Sequence, residues 1–176
     1  MKAILISLCV AAALPASAQT SPPPAADAWA PLAFLEGTWG AQAARPDGVA
    51  VDSSYLFRRE LRGHVMARRA ASNAQCTGPA TFDCEHSDEL IVYEEQPGQP
   101  LKALYVDNEG HVIHYTVSTP APNDAVFLSE GANGPRFRLE YKLDHGEMAG
   151  KFQIQMPGQA DWHSYLEWSG ARREPK

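Results

Sequence analysis

No apolar run in this chain of 176 residues is long enough to cross a bilayer as a helix. The longest, Ala3 to Leu14, holds about a dozen residues against the roughly 20 that a spanning helix needs, so no membrane insertion is expected. Positive charge is also scarce: 15 Lys and Arg stand against 21 Asp and Glu, a formal net charge of -6. A nucleic-acid or anionic-membrane partner wants a basic surface, and that class is set aside. Cysteine is rarer still, three in all. A metal site built on Cys76, Cys84 and nearby His86 would have no fourth ligand in view. No nucleophile elbow, H-E-x-x-H, Walker A, dinucleotide fingerprint or EF-hand loop occurs, so neither a catalytic step nor a cofactor carries a signature. Asp107-Asn108-Glu109-Gly110 lacks the alternating acids and terminal Glu of a calcium loop and reads as a hairpin turn. An enzyme is not thereby excluded, because barrel enzymes assemble their groups from separate strands.

What is present begins with an export leader. Lys2 supplies a positive n-region, Ala3 to Leu14 the apolar h-region, and Ala16-Ser17-Ala18 a small-x-small cleavage site. The mature protein is expected to begin at Gln19 and to work in the periplasm or outside the cell, one unit more negative for the loss of Lys2. Cys9 follows Leu8 inside the apolar run, which rejects a lipid anchor. Residues 19–26, with Pro22-Pro23-Pro24, read as a disordered tether, and residues 27–174 as one domain with a core of its own. In an oxidising compartment Cys76 and Cys84 are expected to pair, closing a short loop worth about 2.5 kcal/mol in the chain-entropy model.

Asp27 caps a short helical turn through Trp29 to Leu35, and no helix signal of useful length follows. From Glu36 onward short strand-like runs alternate with Pro46-Asp47-Gly48, Pro97-Gly98, Asn108-Glu109-Gly110, Pro120 to Asn123, Asn133-Gly134, Asp144-His145-Gly146 and Pro157-Gly158, each a source of turn geometry. Ten strands result, over roughly 36–43, 50–59, 63–71, 88–95, 101–107, 111–118, 124–130, 135–143, 147–156 and 161–169. In the eighth, Phe137, Leu139, Tyr141 and Leu143 share one face and Arg136, Arg138, Glu140 and Lys142 the other, so the first set is the buried one. The ninth opposes Met148, Gly150, Phe152, Ile154 and Met156 to Glu147, Lys151, Gln153 and Gln155, and Asp144-His145-Gly146 joins the two as a hairpin. The expected fold is all-β: one antiparallel up-and-down barrel of about 8–10 strands behind an N-terminal helical turn. Closure removes the edges such a chain would otherwise expose, and a barrel of this size holds one small ligand.

Phe34-Leu35-Glu36-Gly37-Thr38-Trp39-Gly40 resembles the Gly-x-Trp signature that opens the first strand of lipocalins and other calycins. The resemblance implies that Trp39 closes one end of the barrel and that a basic residue after the last strand packs over it, Arg172 or its neighbour Arg173, with Arg172 taken for the part. Ten strands are closer to the fatty-acid-binding or nitrobindin-like variants. The nitrobindin likeness implies a further alternative, haem held by a histidine of the last strand, and His163 is the only candidate in that place. With Trp162, Leu166 and Trp168 as the inner face, strict alternation sends His163 outward, against that alternative.

The leading expectation is a barrel that binds or carries a small apolar or amphipathic molecule without a catalytic step. Its lining is expected from Tyr55, Phe57, Met66, Tyr105, His114, Tyr141 and Phe152. Arg68 and Arg69 are adjacent, so one of them points inward, and Arg68 shares phase with Met66 and Ala70; as a charge-assisted donor it suits a ligand's carboxylate. Two rival readings remain. One is a barrel lyase or isomerase with His114 as general base, since His114 shares a polar face with Thr116 and Ser118. The other is a ligand-free structural module of the envelope. His111 and His114 fall on opposite faces of one strand and cannot share a metal.

Overall fold

The computed structural model describes residues 27–44, 50–72, 86–131 and 134–173. Cys76 and Cys84, the leader and the tether lie outside the described residues. A 3-10 turn, Ala30–Leu35, opens the domain with Pro31 in its first turn. Ten strands follow: β1 Gly37–Ala44, β2 Ala50–Glu60, β3 Val65–Ser72, β4 Ser87–Tyr93, β5 Lys102–Asp107, β6 Val112–Ser118, β7 Asp124–Ser129, β8 Arg136–Asp144, β9 Glu147–Gln155 and β10 His163–Arg173. Each strand pairs antiparallel with the next, and β10 pairs back onto β1, so the sheet is a closed up-and-down barrel. The expected architecture is the observed one, and the strands lie close to where the turn residues placed them.

The tightest turns show why. Between β8 and β9 only His145 and Gly146 intervene, both at positive φ (49° and 82°), the mirror-image turn whose twist matches that of the flanking strands. Between β2 and β3 the chain reverses through Leu61, Arg62 and Gly63, all at positive φ, and Arg59 Nη2 donates to the Gly63 carbonyl at 2.5 Å.

Alternation then selects the interior. Leu139 and Tyr141 of β8 are buried while Arg136, Lys142 and Asp144 are exposed, as the pattern of that strand requires. Tyr55 and Phe57, Met66, Leu90 and Val92, Tyr115, Phe127 and Met148 are buried from the other strands. Each such large side chain removed from water stabilises the fold by about 1.5–3 kcal/mol.

One end is plugged. Leu32 and Leu35 of the 3-10 turn are fully buried with Trp39 and Trp29, and Trp39 Nε1 donates to the Leu35 carbonyl at 2.8 Å. The basic residue over Trp39 is Arg173; the side chain of Arg172, expected in that part, lies outside the described residues. Arg173 is the strand partner of Trp39; its guanidinium sits 4.8 Å above the indole and donates to the Phe34 carbonyl at 3.0 Å. Gly37 makes room for it: a Cβ there would stand 2.9 Å from Arg173 Nε, and its φ of +127° suits only glycine.

Strand β10 departs from strict alternation. Its pairing with β9 slips between Ser164 and Leu166 and again between Trp168 and Ala171. The first slip overturns the expected phase: Trp162 lies on the outer wall, with the Arg138 guanidinium 4.6 Å over its ring, while His163 pairs with Ile154 and so takes the inward register. A bulge inserts one unpaired residue, and every side chain before it changes face.

Candidate functional site

Three strands bring Arg68 and its two partners to the barrel interior. Arg68 of β3 points inward beside Met66 and is 6% exposed, whereas Arg69 points outward to Glu89 at 3.2 Å. Two partners hold Arg68. Its Nη2 forms an ion pair with Asp88 Oδ1 of β4, and its Nη1 donates to the Tyr141 hydroxyl of β8 at 2.5 Å. Its Nε is buried and finds no partner among the described residues. A charge in this setting costs several kcal/mol of desolvation before the pairing returns any of it.

Around this pair stand aromatic rings in edge-to-face or tilted contact. Tyr141 meets Phe57 at 5.2 Å between centroids, Trp168 at 5.6 Å, Tyr55 at 5.8 Å and Phe127 at 6.1 Å. Trp168 Nε1 donates to the Tyr55 hydroxyl at 3.3 Å. Burial pushes the phenols of Tyr55, Tyr105, Tyr115 and Tyr141 above their ordinary value, so all four remain protonated donors at neutral pH. For Arg68, burial works against the charge, but Asp88 and Tyr141 outweigh it and the guanidinium is held positive.

From Arg68 a polar strip runs to the end opposite Trp39. His86 Nε2 lies 3.5 Å from Asp88 Oδ2 and its Nδ1 3.2 Å from Glu109 Oε1. The Tyr105 hydroxyl donates to Asp107 Oδ2 at 3.1 Å, and Asp107 also holds His111 Nδ1 at 2.9 Å and accepts the His111 backbone N–H at 2.8 Å. Hydrogen bonding to Asp88 raises the His86 pKa, and burial only partly opposes it. Burial would raise the Asp88 carboxyl, but the Arg68 guanidinium and His86 hold it below the ordinary carboxylate range. Across the barrel the same end is aromatic: the Phe137 and Phe152 rings stack at 5.8 Å and 3°, and Phe152 meets Tyr165 at 5.9 Å.

Of the expected lining, Tyr55, Phe57, Met66, Arg68 and Tyr141 are buried in one cluster, and Tyr105 and Phe152 are half-buried against it. His114 is a correction. It lies exposed on the outer wall, because its neighbour Tyr115 takes the inward position in β6. With it goes the proposed general base. His163, despite its inward register, is exposed at the rim and its Nε2 lies 3.0 Å from Gln159 Oε1. That nitrogen is engaged outside the aromatic cluster, so the residues present do not fit an enclosed axial ligand for haem. Among the described residues no group of three or more His, Cys, Asp or Glu side chains is placed to hold a metal ion.

Sequence reasoning missed Asp88 and His86 as site residues; Trp168 it placed on the inner face, where the structure has it, without counting it in the lining. Asp88 shares phase with the buried Leu90 and Val92, and that was its only signal; the opposite face of β4 carries Ile91 and Tyr93 and looks equally apolar. A groove of about 440 Å³ lies outside this cluster, between Ala30-Pro31 and residues 119–123, and none of the expected lining borders it.

No family model matches the chain, and no curated protein matches it. Solved structures do. The crystal structure of Rv2717c from M. tuberculosis superposes with a TM-score of 0.59 at 15% identity, over 85% of this chain and 99% of that one. A de novo designed fluorescence-activating β barrel matches at 0.41 and 9% identity, over 80% and 94% of the two chains. A related structure, EF1p2_mFAP2b bound to DFHBI, matches at 0.36 and 12%, again over 80% and 94%. The first likeness shows the fold alone: a ten-stranded antiparallel barrel shared along nearly the whole of both chains.

Proposed function

We propose that this protein is an exported, lipocalin-like barrel that binds or carries a small apolar or amphipathic molecule, with no catalytic step. The observation that carries the reading is Arg68, a charged side chain 6% exposed inside a barrel and bonded to Tyr141, which Tyr55, Phe57 and Trp168 surround. A core selected for stability alone gains nothing from it, since apolar replacement of a buried ion pair is often neutral or stabilising. Ligand sites, by contrast, combine apolar walls with one or two placed polar groups. Export rests on the leader at residues 1–18 and cleavage near Ala18, and the Cys76–Cys84 disulfide belongs to the same proposal.

Mature protein incubated with envelope lipid extract, then repurified, is expected to retain a small molecule that a denatured control does not. It should also take up an apolar fluorescent probe, and Arg68→Met should change the affinity for polar-headed probes. Recovery of nothing above the control, with no probe uptake, overturns the reading. N-terminal sequencing of the protein from cell fractions tests export, and an intact Met1 in the cytoplasm refutes it.

A further inference from the structure

We propose that the ligand's polar head is a neutral hydrogen-bond acceptor, a ketone, ester or amide carbonyl taken by Arg68 and Tyr141, and not a carboxylate. This rests on the small-ligand reading above and narrows its chemistry. It also replaces the anionic head that an interior arginine first suggests.

Charge is the first ground. The positive charge of Arg68 is already matched by Asp88 in direct contact, with both side chains more than nine-tenths buried. Farther along the strip stand two more acids, Asp107 with its side chain 3% exposed and Glu109, against His86 and His111. An entering carboxylate would therefore be the unmatched charge in a low-dielectric interior, beside an acid that cannot leave its own partner without cost.

Donor count is the second ground. The Arg68 Nε–H is buried without an acceptor among the described residues. The Tyr141 hydroxyl accepts from Arg68, so its own proton still needs an acceptor, and none is found among the described residues. The Tyr141 proton wants an oxygen lone pair, and a carbonyl supplies one beside the Arg68 cation without bringing a charge of its own. The rings of Tyr55, Phe57, Phe127 and Trp168 around Tyr141 suit an aromatic or apolar body attached to that carbonyl.

The test compares three probes on one ring system, naphthalene, acetylnaphthalene and naphthoate, titrated into the mature protein and followed by tryptophan fluorescence. The ketone is expected to bind about tenfold or more tighter than the carboxylate, the magnitude of one well-placed hydrogen bond against an unpaired charge. Asp88→Asn, which removes the matching acid while keeping its shape, should narrow or reverse that order by strengthening naphthoate. Tyr141→Phe, a milder change, should weaken the ketone and leave naphthalene unchanged, and it serves where Asp88→Asn does not fold. Naphthoate binding as tightly as the ketone in the unaltered protein overturns the neutral-head proposal while leaving a ligand-binding barrel in place. Binding of none of the three overturns both.

Discussion

The indole of Trp168 lies across the backbone of Gly150, its partner on the neighbouring strand, so closely that a Cβ on Gly150 would stand 1.9 Å from Cζ2. The glycine in β9 is therefore a seat for the ring that closes the aromatic cluster against Tyr55 and Tyr141. Gly150→Ala is expected to destabilise the protein by about 1–3 kcal/mol, the usual cost of forcing extra volume into a packed core. Combining it with Trp168→Leu should cost less than the two single effects added, because the clash is removed. Urea unfolding of the three variants measures both.

Asp88→Ala leaves the Arg68 charge buried without its acid and is expected to cost about 3–5 kcal/mol in urea unfolding. The joint replacement Arg68→Met with Asp88→Leu should cost less than Asp88→Ala alone. A double variant as unstable as the sum of its parts would mean that the pair is not coupled.

Stability should depend on pH from both sides, with opposite signs. Asp88 has a folded pKa below its ordinary 3.8, so its contribution is present above that value and is lost as pH falls through the lower, folded one. His86 has a folded pKa above its ordinary 6.5, so its contribution is complete below 6.5 and is lost as pH rises through the folded value. Urea midpoints are expected to peak between about pH 4 and 6.5 and decline on either side. His86→Gln should flatten the alkaline decline and only lessen the acid one, since Arg68 still lowers Asp88.

Arg173→Ala removes the cation over Trp39 and the hydrogen bond to the Phe34 carbonyl. Its expected cost is about 1–2 kcal/mol, summing a partly exposed cation–π contact and one hydrogen bond. Thermal unfolding of the variant beside the unaltered protein measures it.

Ferric haem added to the mature protein and to His163→Ala is expected to give the same Soret spectrum as haem alone, because the Nε2 of His163 is turned to Gln159 at the rim. A Soret shift present in the first and lost in the second would restore His163 as an iron ligand.

Much of this molecule is legible along the chain. The turn residues mark ten strands, and short turns leave successive strands antiparallel neighbours, so the meander follows from local signals. Alternation in β8 names Tyr141 as an interior residue, and the shared phase of Arg68 with Met66 names the inward arginine. Both signals live within a few residues, where backbone angles and side-chain period are set by the residues themselves.

Tertiary structure alone decided the rest. The bulge in β10 put Trp162 outside and His163 at the rim, because a slip of register against β9 between Ser164 and Leu166 leaves no mark in the local pattern of β10. The place of Arg173 over Trp39 depended on barrel closure, which sets the two residues opposite each other. The partners of Arg68, Asp88 and Tyr141, come from 20 and 73 residues away, and strand phase does not say which inward side chains meet across a closed barrel. Periodicity decides which face a residue takes; curvature and register of the whole sheet decide what it touches there.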